Sequence, residues 1–179
     1  MYSPDFHFKG DAMKEKQQFW KDLKSGKFAN MVKESSRGQQ INNPQDVFNI
    51  MKPVFAENDD VEQIWCIYLD IKNRIIATEK AFSGTIGQTV VFPREIVKRI
   101  IALKASALIM VHQHPSGDPS PSSEDKDITS RLWIALRSMQ VTFHDHIIVG
   151  DGFYSFSDEG FFESLDSEFM TFTKKVTIK

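Results

Sequence analysis

The chain has a single cysteine, Cys66, among 179 residues, which excludes an internal disulfide and any metal site built from several thiolates. A lone thiol suits a reducing cytosol, and a bacterial cytoplasm is taken as the default setting. No apolar run is long enough to cross a bilayer, and the opening MYSPDFHFKGDAMKEK is too polar and too acidic for a secretory leader. No membrane partner is expected. An excess of one charge is also lacking. The 22 basic and 24 acidic residues leave a net charge of −2, which gives no field for nonspecific nucleic-acid binding. Internal repeats and low-complexity segments are absent. The 41% hydrophobic content supports a packed core, and the length suits one domain with short additions at its ends.

What the chain does have is one polar, constrained stretch between two apolar runs, VHQHPSGDPSPSSED over residues 111–125. Side chains at i and i+2 of an extended segment point the same way, so His112 and His114 can aim two imidazoles at one point. Asp125 follows eleven residues after His114, where a helical pattern begins. Two His and one carboxylate, with no obvious fourth ligand, make an open catalytic metal site that keeps a position for water. Zinc and ferrous iron both accept such a set, so the residues alone leave the metal undecided. Ser122-x-x-Asp125 also reads as a capping box with Asp in the usual Glu or Gln place. The two roles are compatible, since a capped helix holds a ligand rigidly.

The flanking patterns predict a mixed α/β fold. A helix is expected over Asp11–Lys24, with Phe19, Trp20 and Leu23 as its apolar patch and Gly26 as its stop. Residues 33–43 read as a linker. Asn43 can cap a second helix with Pro44 in its first turn, and Pro53 should kink or end it. Glu57–Asp60 reads as an acidic turn. Val61–Leu69 reads as a strand buried on both faces, turning at Lys72-Asn73 into a returning strand over Ile75–Phe82. Gly84 and Gly87 punctuate a loop, and Pro93 opens a helix to about Lys104. A short strand over Ala107–Val111 delivers the two His. A helix over Ser123–Met139, a strand over Val141–Val149 and a short strand over Phe153–Phe156 complete the pattern. After Gly160, Phe161, Phe162, Leu165, Phe169 and Phe172 suggest an amphipathic helix that docks on the domain or on a partner.

The pattern His112-x-His114-Pro115-(x)6-Ser122-x-x-Asp125 resembles the JAMM motif of MPN-plus, or JAB, metalloproteases. More narrowly, HQHPSGDPSPSSED, WCIYLDIKNRII (65–76), the segment 82–114 and DHIIVGDGFYSF (145–156) resemble the bacterial RadC family. The resemblance covers about residues 44–160. It implies a single JAB/MPN (cytidine-deaminase-like) α/β domain, a mixed sheet flanked by helices, over 44–160. Residues 1–43 would then be a helical extension and linker, in place of the family's helix-hairpin-helix module, and 161–179 a C-terminal extension. Gln113 stands where the family commonly has Asn.

The resemblance implies a zinc-dependent peptidase or isopeptidase acting on a peptide or protein. One zinc would be held by His112, His114 and Asp125, with Ser122 bonding the bound water or the oxyanion. The family's general base is a Glu on the first strand. Glu62 is the assignment, Glu79 the rival and Glu95 the weaker one. Two other function classes remain. RadC-like proteins carry a DNA-repair label, for which Lys98, Arg99 and Lys104 and Lys174, Lys175 and Lys179 offer modest basic clusters. The third class is a metal-stabilised interaction module without turnover. The sequence does not indicate an oligomeric state.

The remaining residues have structural explanations. Asp145 and His146 could orient a zinc ligand from behind, or serve as a buried structural hydrogen bond. His144 should face the opposite way and be exposed. His7 carries no signal. Cys66 alternates with Ile64 and Tyr68 as a buried inert thiol, and Trp20, Trp65 and Trp133 should pack in cores. Phe82-Ser83-Gly84-Thr85 could line a substrate groove or simply turn.

Overall fold

A computed structural model describes residues 14–177 except 16, 19–20, 23–24, 57–59 and 84–92, with backbone alone at 28 and 172–177. The apolar patch of the first expected helix, His7, Trp20, Gly84, Thr85, Gly87 and most of the Glu57–Asp60 turn lie outside the described residues. Among the described residues the order is α1 (Lys27–Ser36), α2 (Pro44–Phe55), β1 (Gln63–Leu69), β2 (Ile75–Ser83) and α3 (Pro93–Leu103). There follow β3 (Ala107–Gln113), α4 (Ser123–Ser138), β4 (Thr142–Val149), β5 (Phe153–Ser155) and α5 (Phe161–Thr177).

The strands form one sheet in the order β2-β1-β3-β4-β5. β3 and β4 are parallel and every other pair is antiparallel, so the sheet is mixed. Parallel neighbours need a crossover, and α4 supplies it. One face packs Ile64, Tyr68, Leu108 and Met110 against Ile96 and Ile100 of α3, Leu132 and Leu136 of α4 and Phe162 of α5. The other packs Trp65, Ile67, Ile109 and Val111 against Ala29 of α1 and Val47, Met51 and Phe55 of α2. Helices on both faces explain why every residue of β1 and β3 is buried, as their unbroken apolar runs require.

Local signals act as expected at several joints. The Asn43 side chain accepts from the backbone N–H of Asp46, and Pro44 takes the first helical position of α2. Pro53 does not stop that helix, which runs on to Phe55. The proline falls within the last turn, so only one helical bond is lost. Asn73 turns the β1–β2 hairpin at φ 58. α5 docks on the domain itself, with Phe161, Phe162, Leu165 and Phe169 against the α3–α4 face.

His144 corrects one expectation. It is half-buried, and its Nε2 lies 2.8 Å from Asn73 Oδ1. The register of β3 with β4 slips between Leu108 and Ile109, so Ile109 pairs with Asp145 and His144 falls in the irregularity. Strict alternation fails there, and the imidazole turns back onto the hairpin.

Candidate metal centre

β3 carries His112 at its C-terminal end, and His114 follows just beyond it. The chain then loops over the end of β4 and enters α4. Ser122 caps α4: its hydroxyl accepts from the Asp125 N–H at 3.1 Å. The Asp125 carboxylate returns the favour through Oδ2, accepting from the Ser122 N–H at 2.8 Å and from the Ser122 hydroxyl at 2.6 Å. This capping box aims the carboxylate at the end of the sheet.

Both imidazoles meet that carboxylate. His112 Nδ1 lies 2.7 Å from Asp125 Oδ1, and His114 Nε2 lies 3.4 Å from Asp125 Oδ2. The two rings are edge to face, 4.6 Å between centroids. His112 and Asp125 side chains are about 1% exposed, whereas His114 is 13% exposed, so the cluster opens to solvent on the His114 side. Burial opposes the charge on Asp125, but the bonds from His112 and His114, the His112 charge and Ser122 outweigh it and hold the carboxyl well below its usual range. The same bond to Asp125 raises the His114 pKa. His114 Nδ1 is 2.9 Å from the Asp118 carbonyl. A carbonyl only accepts, so Nδ1 carries the hydrogen, and a neutral His114 turns a bare Nε2 toward Asp125.

The loop between ligands and helix is tied down. Asp151 N–H donates to Gly117 O at 2.8 Å, His114 N–H to Val149 O at 2.8 Å, and the Lys52 ammonium to Gly150 O at 2.5 Å. A cavity of about 410 Å³ opens beside His114 and Pro115, walled by Pro53, Phe55 and Val149.

The candidate bases fall in different places. The β1–β3 ladder ends at Gln63↔Gln113, so Glu62 and His114 each follow directly on its last pair, and the Glu62 charge helps raise the His114 pKa. Glu79 lies opposite Cys66, several residues from the strand end, and accepts from Arg99 Nε and Nη2 at 2.7 and 2.6 Å. Glu95 sits on the first turn of α3 beside Arg94 at 3.3 Å.

A model of the RadC-like JAB domain matches residues 41–161. The chain belongs to the RadC-like JAB family. Curated relatives include UPF0758 proteins of Ruegeria pomeroyi, 48% identical over 57% of this chain, and of Methanosarcina mazei, 41% identical over 69%. Another, from Actinobacillus pleuropneumoniae, is 42% identical over 63%. This RadC-like chain covers 46%, 54% and 56% of those proteins, about half the length of each.

JAB domains imply a metal, and the side chains present fit one. Donors 2.0–2.2 Å from a tetrahedral zinc lie about 3.3–3.6 Å apart, which the His114–Asp125 separation matches, whereas His112 Nδ1 sits at hydrogen-bond distance from Asp125. Two nitrogens and one oxygen are zinc-type ligands. Independently, buried His112, Asp125 and His146 place ligand atoms within 4.8 Å of one another, close enough to hold a metal ion. His114 is not in that group, although it is the residue of the cluster that reaches solvent.

Sequence reasoning did not single out Thr129. Its one signal was position: Asp125 plus four puts it on the same face of α4. It is fully buried between Asp125 and His146. Asp145 points to the opposite face, bound by the Ser155 hydroxyl and the Ser157 N–H.

Proposed function

We propose that the protein is a zinc-dependent hydrolase of JAMM type that cleaves an amide or isopeptide bond in a peptide or protein. The observation that carries this reading is the convergence of His112 and His114 on the two oxygens of Asp125, with only His114 reaching the surface. His112, His114 and Asp125 would hold one zinc ion. Bound zinc supplies a Lewis acid and a water whose pKa falls to about 7.

The chain's own groups do the rest. Asp125 keeps its charge, and its capping box holds it at the helix start. Asp118 fixes the His114 tautomer so that Nε2 is the basic atom. Glu62 would take a proton from the attacking water and pass it to the leaving amine. Its register position supports that role, and the Arg99 bond of Glu79 argues against the rival. Ser122 gives its hydroxyl hydrogen to Asp125 Oδ2, so it orients the ligand. It could donate to an oxyanion only by releasing that bond.

The test uses purified protein, a peptide library and an isopeptide-linked substrate, read by mass spectrometry. Glu62→Gln should keep one zinc and the fold while losing hydrolysis. His114→Ala should lose both zinc and hydrolysis. Cleavage by His114→Ala at the wild-type rate would sink the proposal. The DNA-repair reading gains little, because Arg99, central to one basic cluster, is committed to Glu79.

A further inference from the structure

Behind Asp125 lies a buried polar chain that this metal reading does not use. The Thr129 hydroxyl is 2.5 Å from the Asp125 backbone oxygen and 2.6 Å from His146 Nδ1. That hydroxyl has a single hydrogen. Giving it to His146 would leave two oxygens face to face at 2.5 Å with nothing between them. The hydrogen therefore goes to the Asp125 carbonyl, and His146 Nδ1–H donates to Thr129. The direction of the whole chain is fixed: imidazole to hydroxyl to carbonyl. It also fixes the tautomer, with the His146 lone pair on Nε2.

Packing holds the donor in place. The His146 ring lies nearly parallel to Phe156, 4.8 Å between centroids and 7° between planes, and its other side faces His112 at 6.1 Å and 12°. Thr129 and His146 are fully buried. β4 thereby grips the first turn of α4 at the residue whose carboxylate meets His112 and His114.

We infer that His146 and Thr129 are positioning residues that set the distance of Asp125 from His112 and His114. The inference rests on the metal reading above. Groups that orient metal ligands this way typically change metal affinity by 10- to 100-fold when removed.

The experiment measures zinc affinity by competition with a chromophoric chelator, well below the melting temperature, in full-length wild type, Thr129→Val, Thr129→Ser and His146→Asn. Thr129→Val keeps the shape but loses the hydroxyl, and should weaken zinc binding 10- to 100-fold. Thr129→Ser and His146→Asn each retain a hydrogen-bonding group and should stay within a few-fold of wild type. Nitrogen NMR of His146 should show the Nδ1-protonated tautomer in wild type and a mixture in Thr129→Val. Equal zinc affinity in Thr129→Val and wild type would overturn the positioning role, even if both threonine variants lost thermal stability. Should Thr129→Val fail to fold, wild-type-like tautomer and affinity in the serine variant support the role, and an Nε2-protonated wild type refutes it. Failure of wild type itself to bind zinc would instead sink the metal reading.

Discussion

Gly150 gives a sharp test of how the metal loop is held. A Cβ built there would sit 2.2 Å from the Gly117 carbonyl oxygen, 2.7 Å from its carbon and 3.1 Å from Pro119 N. Ordinary carbon–oxygen contacts begin well above 3 Å, so in Gly150→Ala the Gly117 carbonyl must retreat by about 1 Å. It cannot do so alone. Asp151 N–H holds that oxygen at 2.8 Å, and Gly117 N–H is bonded to His114 O at 3.1 Å. The displacement therefore reaches His114. Overpacking of backbone against backbone costs about 1–3 kcal/mol. For a chain of this size that lowers Tm by roughly 2 to 12 °C. Gly152→Ala is the control, since an added Cβ there meets nothing within 4 Å. It should leave stability within about 0.5 kcal/mol. Thermal unfolding of the metal-free protein reads the first effect, and chelator competition reads a loosened zinc site as the second. A Gly150→Ala protein that melts and binds zinc like Gly152→Ala would refute the clamp.

Three further outcomes follow from the same structure. If zinc binds the folded chain, a hundredfold excess over Kd should stabilise it by about 2.7 kcal/mol, a shift that chelation and His114→Ala both erase in a thermal melt. Burial, only partly offset by Ser155 and Ser157, pushes Asp145 up to about 6 from an ordinary 3.8. Between those values the folded state binds more protons than the unfolded one, so this group lowers stability as pH rises from about 4 to 6, by roughly 3 kcal/mol. Asp145→Asn should remove that slope in urea titrations at several pH values, and an unchanged slope refutes it. Burial likewise raises the Cys66 thiol to about 12. A thiol reagent at pH 8 should therefore label Cys66 only as fast as the protein unfolds, and fast labelling of the native state would contradict the burial.

Periodicity and punctuation in the sequence were sufficient for the element order from α2 onward, but not for α1, whose last residues 33–36 read as linker. Unbroken apolar runs marked β1 and β3 as two-sided interior strands, and Asn43-Pro44 and Ser122-x-x-Asp125 marked helix starts that the fold uses. The polar stretch 111–125 pointed to a ligand set because its residue types and spacing are local properties. Other features depend on which strands become neighbours. The register slip that buries half of His144, the choice of Arg99 as partner for Glu79, the arrival of Glu62 and His114 at the same end of the β1–β3 ladder and the contact of Gly150 with Gly117 all join residues far apart in the chain. Thr129 and His146 are the clearest case. Nothing in the local sequence of either predicts their contact, because the crossover through α4 alone decides that they meet beneath Asp125.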